Sequence, residues 1–433
     1  MRQRLIAVLL SAMPLFAADL SGTWIARVTG PLVREPQYAH VSLKVDGTKL
    51  SGTWNEWRLD GSLAGTQAEF SLHPVNGRPV GTFTGEAHGA GISGEGTLEM
   101  RAGEGRHATG SVKWELTREP SAGRGPKTWT FEPTEFQSNY SAAIAPVLRV
   151  FPGDTIQTST LDSGGLDSKL NRRSPGGNPE TGPFYIEGAL PGDTLVVRLN
   201  KVRLNRDTAR SGSHINLHAI SPAWAVAAQY QDGFNSEWKL DRAAGVARLA
   251  SPSKRMDGYT VPILPMIGCL ATAPPAGQSF RAVDLGPFGG NLDYNQMNEG
   301  ATLLLPVFQP GALFSLGDGH AAMGDGELTG AALETSLDVE FTVDLMPGSA
   351  TPYPRLMNSD YLMSIGVAGS VEEALQAATA QLADWLKAEY HLNDNEIALV
   401  LGTALKYDVA QLVDPHFDVV AKLPKSALAG LKK

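Results

Sequence analysis

AHVSLKVDGTKLSGTWNEW, residues 39–57, decides the fold class. Val41, Leu43 and Val45 alternate with Ser42 and Lys44, the period of two that puts apolar side chains on one face of a strand. Asp46–Gly47 follows, a pair that tolerates the positive φ of a tight hairpin turn, and a second run begins just beyond it. The stretch reads as strand, turn, strand. Outward from it, short alternating runs broken by glycine continue from Asp19 to Glu119, with Asn76–Gly77 as another turn of the same chemistry. The expectation is a small antiparallel meander closed as a sandwich or a barrel. The recurring units Ser51–Trp54, Thr84–Glu86 and Ser93–Gly96 are read as products of turn chemistry, not as a functional repeat. Trp24, Trp54, Trp57 and Trp114 could form a ligand platform, but in a domain this small tryptophans more often fill the core or its rim.

At 433 residues the chain exceeds the roughly 250–300 residues that one core usually serves, so two domains are expected. Residues 120–128, PSAGRGPKT, have linker composition and mark the boundary, leaving residues 129–433 as the second domain. There TLVVRLNKVRL (194–204) reads as a strand entered from the Pro191–Asp193 turn. Helix is expected only late. Ser370 and Glu373 make a capping box ahead of VEEALQAATAQLADWLKAEY, in which Val371, Ala374, Leu375, Ala378, Leu382 and Leu386 share one face. Asn393 and Glu396 open a second helix of about 18 residues, closed by Pro415. The whole is mainly β (α+β): an accessory β domain at 19–119, then a β-rich domain with C-terminal helices.

Composition limits function. Hydrophobic residues make up 42% and charged ones 19%, which fits a folded protein and excludes wholesale disorder. The 36 Lys and Arg against 45 Asp and Glu give a net charge of −9 with no basic run, so nucleic acid is not an expected partner. Cys269 stands alone, which rules out an intrachain disulfide and any multi-cysteine metal centre. Any metal must then sit on His, Asp or Glu. Residues 1–18, MRQRLIAVLLSAMPLFAA, have the basic, apolar and small-residue order of a signal peptide, with an apolar run too short to span a bilayer. Cleavage near Ala18 and export, periplasmic or secreted, are expected, and no other stretch is long and apolar enough to cross a membrane.

The chemistry concentrates in residues 289–334, where Asp293, Asp318, His320, Asp325, Glu327 and Glu334 stand among many glycines. Glycine lets a backbone approach a ligand closely, and carboxylates beside one imidazole suit a divalent cation. Asp318 and His320, two apart, would face the same side of an extended strand and could chelate one ion. The bland alternative is a solvated Asp-and-Gly turn; neither EF-hand nor H-E-x-x-H spacing is present. Read as a strand, Ser213–His218 would put His214, Asn216 and His218 on one face, either an imidazole site or, more commonly, a polar face with satisfied histidines. Cys269, between Gly268 and Leu270, reads as a buried small hydrophobe ahead of a nucleophile, and no G-x-S-x-G elbow occurs.

Several segments, in chain order, resemble the acetamidase/formamidase family of amide hydrolases. They are Thr181-Gly-Pro-Phe-Tyr-Ile-Glu-Gly-Ala-Leu-Pro-Gly-Asp193, Gly289-Gly-Asn-Leu-Asp293, Leu305-Pro-Val-Phe-Gln-Pro-Gly-Ala312, Gly317–Glu327 with Glu334, Val413-Asp-Pro415 and Leu423-Pro-Lys425. The resemblance implies a β-rich fold and a bound divalent metal, zinc with calcium nearby, ringed by Glu187, Asp293, Asp318, His320, Asp325, Glu327 and Glu334. Donor chemistry then assigns His320, Asp318 and Asp293 to the metal, with Asp162 of LDSGGLD as a further oxygen donor. Glu334 or Glu187 would be the general base, Glu327 a further catalytic carboxylate, and Asn291, Asp325 and Gly319 the substrate contacts. The reaction implied is attack of a metal-activated water on a short linear amide, formamide or acetamide, giving carboxylate and ammonia. Homo-oligomers are implied as well. This chain departs from the family in its export signal and its extra β domain, in Cys269 of the P-x-x-G-x-x-x-x-A-P segment at Pro265–Pro274, where an aliphatic residue is expected, and in residues 205–260, which match the family's pattern poorly. The competing reading is an exported, non-catalytic binding or adhesion protein built on the same fold.

Overall fold

The computed structural model of the protein describes residues 20–74, 77–89, 91–102, 106–231 and 233–431. The expected signal peptide at 1–18 and Asn76 of the second turn lie outside the described residues. The described residues are mainly β, with 47% strand against 11% helix. It divides between Glu119 and Pro120 into two compact units. Among the described residues no helix is long and apolar enough to cross a membrane.

The first unit is a closed barrel of eight antiparallel strands, each paired to the next. They are β1 (Gly22–Gly30), β2 (Val33–Asp46), β3 (Lys49–Trp54), β4 (Trp57–Ala64), β5 (Gln67–His73), β6 (Gly81–His88), β7 (Gly91–Ala102) and β8 (Arg106–Arg118). β8 returns to β1, with Trp24 opposite Arg118 and Thr29 opposite Lys113, so the sheet has no free edge. Alternation works as the sequence implies: Val41 and Leu43 point inward while Ser42 and Lys44 point to solvent. Trp24, Trp54 and Trp114 are buried, and Trp57 packs against them half-buried. The Phe70 and Phe83 rings stack at 5.0 Å, Trp54 stacks on Phe83 at 5.5 Å, and Trp114 meets Phe70 edge-on at 5.1 Å. An eight-stranded barrel has room for its own side chains or one small ligand; here aromatic rings fill it. The glycines of the repeated units are strand residues, not turn residues. A Cβ on Gly52 in β3 would strike the Ser42 carbonyl of β2, and one on Gly94 in β7 the Thr84 carbonyl of β6. Tight curvature in a small barrel selects them.

The second unit is built on two facing sheets. A six-stranded sheet runs in the order Leu148–Val150, Glu180–Ile186, Phe314–His320, Met266–Ala271, Gly289–Asn291, Leu285–Gly286. A nine-stranded sheet has Thr194–Leu204 and Leu337–Met346 near its centre, Lys406–Gln411 at one edge and Thr128–Thr130 at the other. Phe184 and Phe314 of the first sheet meet Phe341 of the second at 5.5 and 5.3 Å, so the core lies between the sheets. The Thr194–Leu204 strand is entered from the expected turn, where Asp193 accepts hydrogen bonds from the N–H groups of Leu190 and Gly348. The 120–128 segment is fastened to this unit: Asp154 accepts from the Arg124 guanidinium, Lys127 N–H and Trp129 Nε1.

Helix α1 (Pro222–Ala227) was not expected; α2 spans Val371–Tyr390, capped by Ser370, and α3 spans Asp394–Ala404 with a complete capping box. α2 lays Ala378, Leu382, Trp385 and Leu386 on Val196, Leu304, Leu362 and Leu423 of the nine-stranded sheet. Val371 is exposed instead, and Trp385 takes a place on the face. α3 is shorter than its sequence reading. It stops at Ala404, and Lys406–Gln411 becomes an edge strand paired with Phe417–Pro424. The β-branched and aromatic content of KYDVAQ and an open sheet edge outweigh the helical period there.

Candidate active site

The centre of the six-stranded sheet is the strand FSLGDGH, Phe314–His320, every residue of which is buried. Glu180 and Cys269 flank Gly317 from the two neighbouring strands, Met266 pairs with His320, and Asn291 pairs with Cys269 one strand further on. This register carries Asp318 and His320 to the sheet's end, where two loops reach them, one bringing Asp293 and the other both Glu327 and Glu334. His320 Nε2 lies 3.1 Å from Glu334 Oε1 and 3.6 Å from Asp318 Oδ1, and its Nδ1 lies 3.8 Å from Asp293 Oδ1. The ligand atoms of Asp318, His320 and Glu334 fall within 4.8 Å of one another, as do those of Asp293, His320 and Glu327.

The backbone is bent to do this. Asp293, Asp318 and Glu327 all have positive φ, at 39°, 58° and 46°. Such conformations cost roughly 1–3 kcal/mol each and persist where surrounding structure imposes them, commonly at functional sites. Gly268 makes room: a Cβ there would run into Oδ1 of Asp293 and Oδ2 of Asp318. Ala332 N–H donates to both Glu327 Oε1 and Glu334 Oε1 at 3.0 Å and ties the two acids together.

Five buried side chains set the electrostatics. Burial pushes Asp293 well above the carboxylate range, and the Glu327 and Asp318 charges push it further. Burial, then Glu334, brings Asp318 up to about 6. Burial also raises Glu327. Burial opposes a charge on His320, but Glu334 and Asp318 outweigh it and lift the imidazole well above its usual range. Burial opposes the Glu334 charge too, yet His320 draws that carboxyl below its ordinary value. Both oxygens of Asp293, Asp318 Oδ1, Glu334 Oε2 and His320 Nε2 are buried without a hydrogen-bond partner. Buried polar atoms are normally satisfied, and clustered carboxylates in low dielectric are costly unless a cation sits among them. The residues therefore fit a divalent metal, on unpartnered donor atoms and on the space kept by Gly268.

The structure brings His320, Asp318, Asp293, Glu327 and Glu334 together. Asn291 borders them: its carbonyl accepts from Asn178 Nδ2 at 2.8 Å and Cys269 Sγ at 2.8 Å, and its amide donates to Asp414. Other expected site residues are placed elsewhere. Asp162 is in a buried ion pair with Arg206 at 2.6 Å and accepts Leu166 N–H, so its oxygens are engaged. Glu187 pairs with Arg149 at 2.6 Å. It follows the far end of the Glu180–Ile186 strand, about 20 Å of extended chain from Glu180. Asp325 is exposed and accepts from Asn295 Nδ2 at 2.7 Å. Gly319 is a packing position, since a Cβ would meet Leu337 and the Thr335 carbonyl. Ser213–His218 is not a strand; His214 and His218 lie in an exposed loop. Cys269 is buried at the site, its thiol pushed well above its usual range by burial and by Glu180, Asp318 and Asp293, so it is not a thiolate nucleophile.

Sequence reasoning missed four participants. Asn178, itself at φ 55°, donates to Asp318 Oδ2 at 2.9 Å and to Asn291. Glu180 is fully buried with neither carboxylate oxygen bonded. Asp414 is raised to about 7 by burial against its bond from Asn291. Gly268 is the fourth. Asp414 had a signal, inside Val413-Asp-Pro415. A separate open groove of about 480 Å³ lies among Gln157, Lys201, Arg203, Asp338 and Glu340, but Lys201 pairs with Glu340 at 2.8 Å and Arg203 with Glu299 at 2.7 Å.

Facing sheets with a buried imidazole and carboxylates at one strand end define the class: a β-rich protein with a buried carboxylate–histidine centre. Residues 275–428, within the second unit, match the Acetamidase/Formamidase family. The chain is 35% identical to the acetamidase of Mycolicibacterium smegmatis over 231 residues, 42% of this chain and 57% of that protein. The chain spans about half the length of the curated relatives it matches. The crystal structure of acetamidase from Yersinia enterocolitica aligns with TM-score 0.60 and 29% identity, over 71% of this chain and 95% of that one. A recombinant predicted acetamidase/formamidase from Thermoanaerobacter tengcongensis shares the fold, with TM-score 0.61 and 24% identity over 71% of this chain and 99% of that one.

Proposed function

We propose that the second unit is a metal-dependent amidase that hydrolyses a linear amide to a carboxylate and ammonia, and that the protein is exported. The observation that carries this reading is the convergence of unpartnered donor atoms of His320, Asp318, Asp293 and Glu334 in a domain of the acetamidase/formamidase family. His320, Asp318 and Asp293 would hold the cation. An imidazole nitrogen among carboxylates favours zinc, because calcium sites are made of oxygen donors alone. A divalent ion bound there supplies Lewis acidity that polarises a carbonyl and makes water acidic enough to ionise near neutral pH.

The chain's own groups divide the remaining work. Glu334, kept ionised by His320, has Oε2 free and is one of the two least enclosed acids of the cluster, so it accepts a proton from the attacking water. Glu327, whose ionisation burial opposes, would give a proton to the amide nitrogen as it departs as ammonia. Asn178 and the Gly268 cradle hold Asp318 in place for both steps. Asp162 and Glu187 take no part, each being paired with an arginine.

The test is ammonia release from acetamide and formamide by protein lacking residues 1–18, before and after chelation and after metal is returned. Activity should vanish with chelator, return with zinc, and fall at least a hundredfold in His320→Ala and Glu334→Gln. Release that survives both chelation and His320→Ala sinks the metal reading; no release from any amide, with metal bound, turns the protein into a binding protein on this fold. Mass determination of the chain recovered outside the cytoplasm, expected to begin after Ala18, tests export.

A further inference from the structure

Residues 211–231 carry no Asp, Glu, Lys or Arg, and in them α1 consists of PAWAVA without a single buried side chain. An entirely apolar helix is normally covered. Here Leu217 is 73% exposed, Val226 88%, Trp224 47% and Tyr230 39%. The loop is nonetheless ordered by its own contacts. Tyr230 accepts Ile215 N–H at 3.1 Å, its ring lies 4.2 Å from the His214 ring and 6.3 Å from Trp224, and Ser221 caps α1.

Its attachments say what it borders. Gly212 N–H donates to the Ala331 carbonyl at 3.1 Å and Asn216 N–H to the Leu328 carbonyl at 2.7 Å, so the loop is pinned to the segment joining Glu327 to Glu334. His218 meets the Phe417 ring at 5.6 Å, next to the segment that carries Asp414. Asp293, Asp318 and His320 are at most 2% exposed, whereas Glu327 and Glu334 reach 7% and 8%. The loop thus edges the side from which the carboxylates are least enclosed.

We infer that this loop is the recognition wall for the acyl group, and that the amide hydrolysed carries an apolar aryl or branched-alkyl acyl group in place of a one- or two-carbon one. The inference rests on the amidase reading. An uncharged aromatic wall beside an anionic cluster suits a neutral amide with an apolar body and disfavours an anionic one. Leu217, Trp224, Val226 and Tyr230 leave on the order of 400–500 Å² uncovered, short of the roughly 800 Å² per partner of a standard protein interface and ample for one ring.

The experiment measures kcat/KM for benzamide and for acetamide with the metal-loaded full-length protein, alongside Trp224→Ser and Val226→Ser and with the oligomeric state followed by light scattering. Both substitutions are on exposed side chains and should fold. Benzamide should be favoured over acetamide at least tenfold, and the benzamide-to-acetamide ratio should drop at least tenfold in each variant. Turnover of acetamide with benzamide slower, or a ratio unmoved by both variants, overturns the inference while leaving the amidase reading intact. Variants that change only the oligomeric state make the loop a contact between copies and also overturn it. No ammonia from either amide removes the amidase reading, and this inference falls with it.

Discussion

A Cβ at Gly268 would strike Asp293 Oδ1 and Asp318 Oδ2, so this one missing methyl group decides whether two carboxylates can converge on His320. Gly268→Ala should leave the far-UV circular dichroism intact, because the strand Met266–Ala271 is extended and alanine fits its backbone. It should abolish most of the rise in melting temperature that metal gives the parent, a rise worth about 2.7 kcal/mol at a hundredfold excess over Kd. An undiminished metal-induced shift in the alanine variant would show that the two acids do not share the ion. The carboxylates themselves were legible, since G-D-G-H concentrates donors at a spacing that reaches one face of a strand. Gly268 was not, because its neighbours lie 25 and 50 residues further along the chain and only sheet pairing joins them. Asn178, which touches Asp318 at a separation of 140 residues, was hidden for the same reason.

At the scale of elements, local rules carried the reading where local forces dominate. The span Val371–Tyr390 was visible because capping and period agree with burial, and Thr194–Leu204 because a turn fixes its start. The Lys406–Gln411 strand and the Ser213–His218 loop depart from their sequence reading because an open sheet edge and hydrogen bonds to a distant loop outweigh the local pattern. The strand Thr155–Ser159 offers a test of how the unit's N-terminal segment is held. Asp154 precedes it and accepts from Arg124, Lys127, Trp129 and Phe151, which outweigh the opposing effect of burial and hold its carboxyl below the usual range. A carboxyl depressed in the folded state stabilises above its unfolded pKa of about 3.9 and loses that contribution as pH falls toward the folded value. Asp154→Asn should therefore cost about 2 kcal/mol at pH 7, and the gap to the parent should shrink steadily below about pH 4 in urea unfolding series. A gap that stayed constant from pH 7 to pH 2.5 would mean the hydrogen bonds, not the charge, hold the segment.

For the molecule as a whole, each unit has a hydrophobic cluster of its own: rings and leucines inside the barrel, and the layer between the two sheets in the second unit. Every residue of the carboxylate–histidine cluster belongs to the second unit. A ligand that binds a folded unit stabilises that unit by mass action and nothing that unfolds separately from it. Calorimetry of the full chain should accordingly resolve two transitions. Zinc should raise the one whose enthalpy matches about 310 residues and chelator should lower it, while the smaller one, from about 100 residues, stays within a degree. The small transition is expected to be the more reversible, because each barrel strand pairs with its chain neighbour and closure needs only the return of β8 to β1. A single transition moving as a whole with zinc would mean that the barrel takes its stability from the second unit, and separate cores would then be no guide to separate folding.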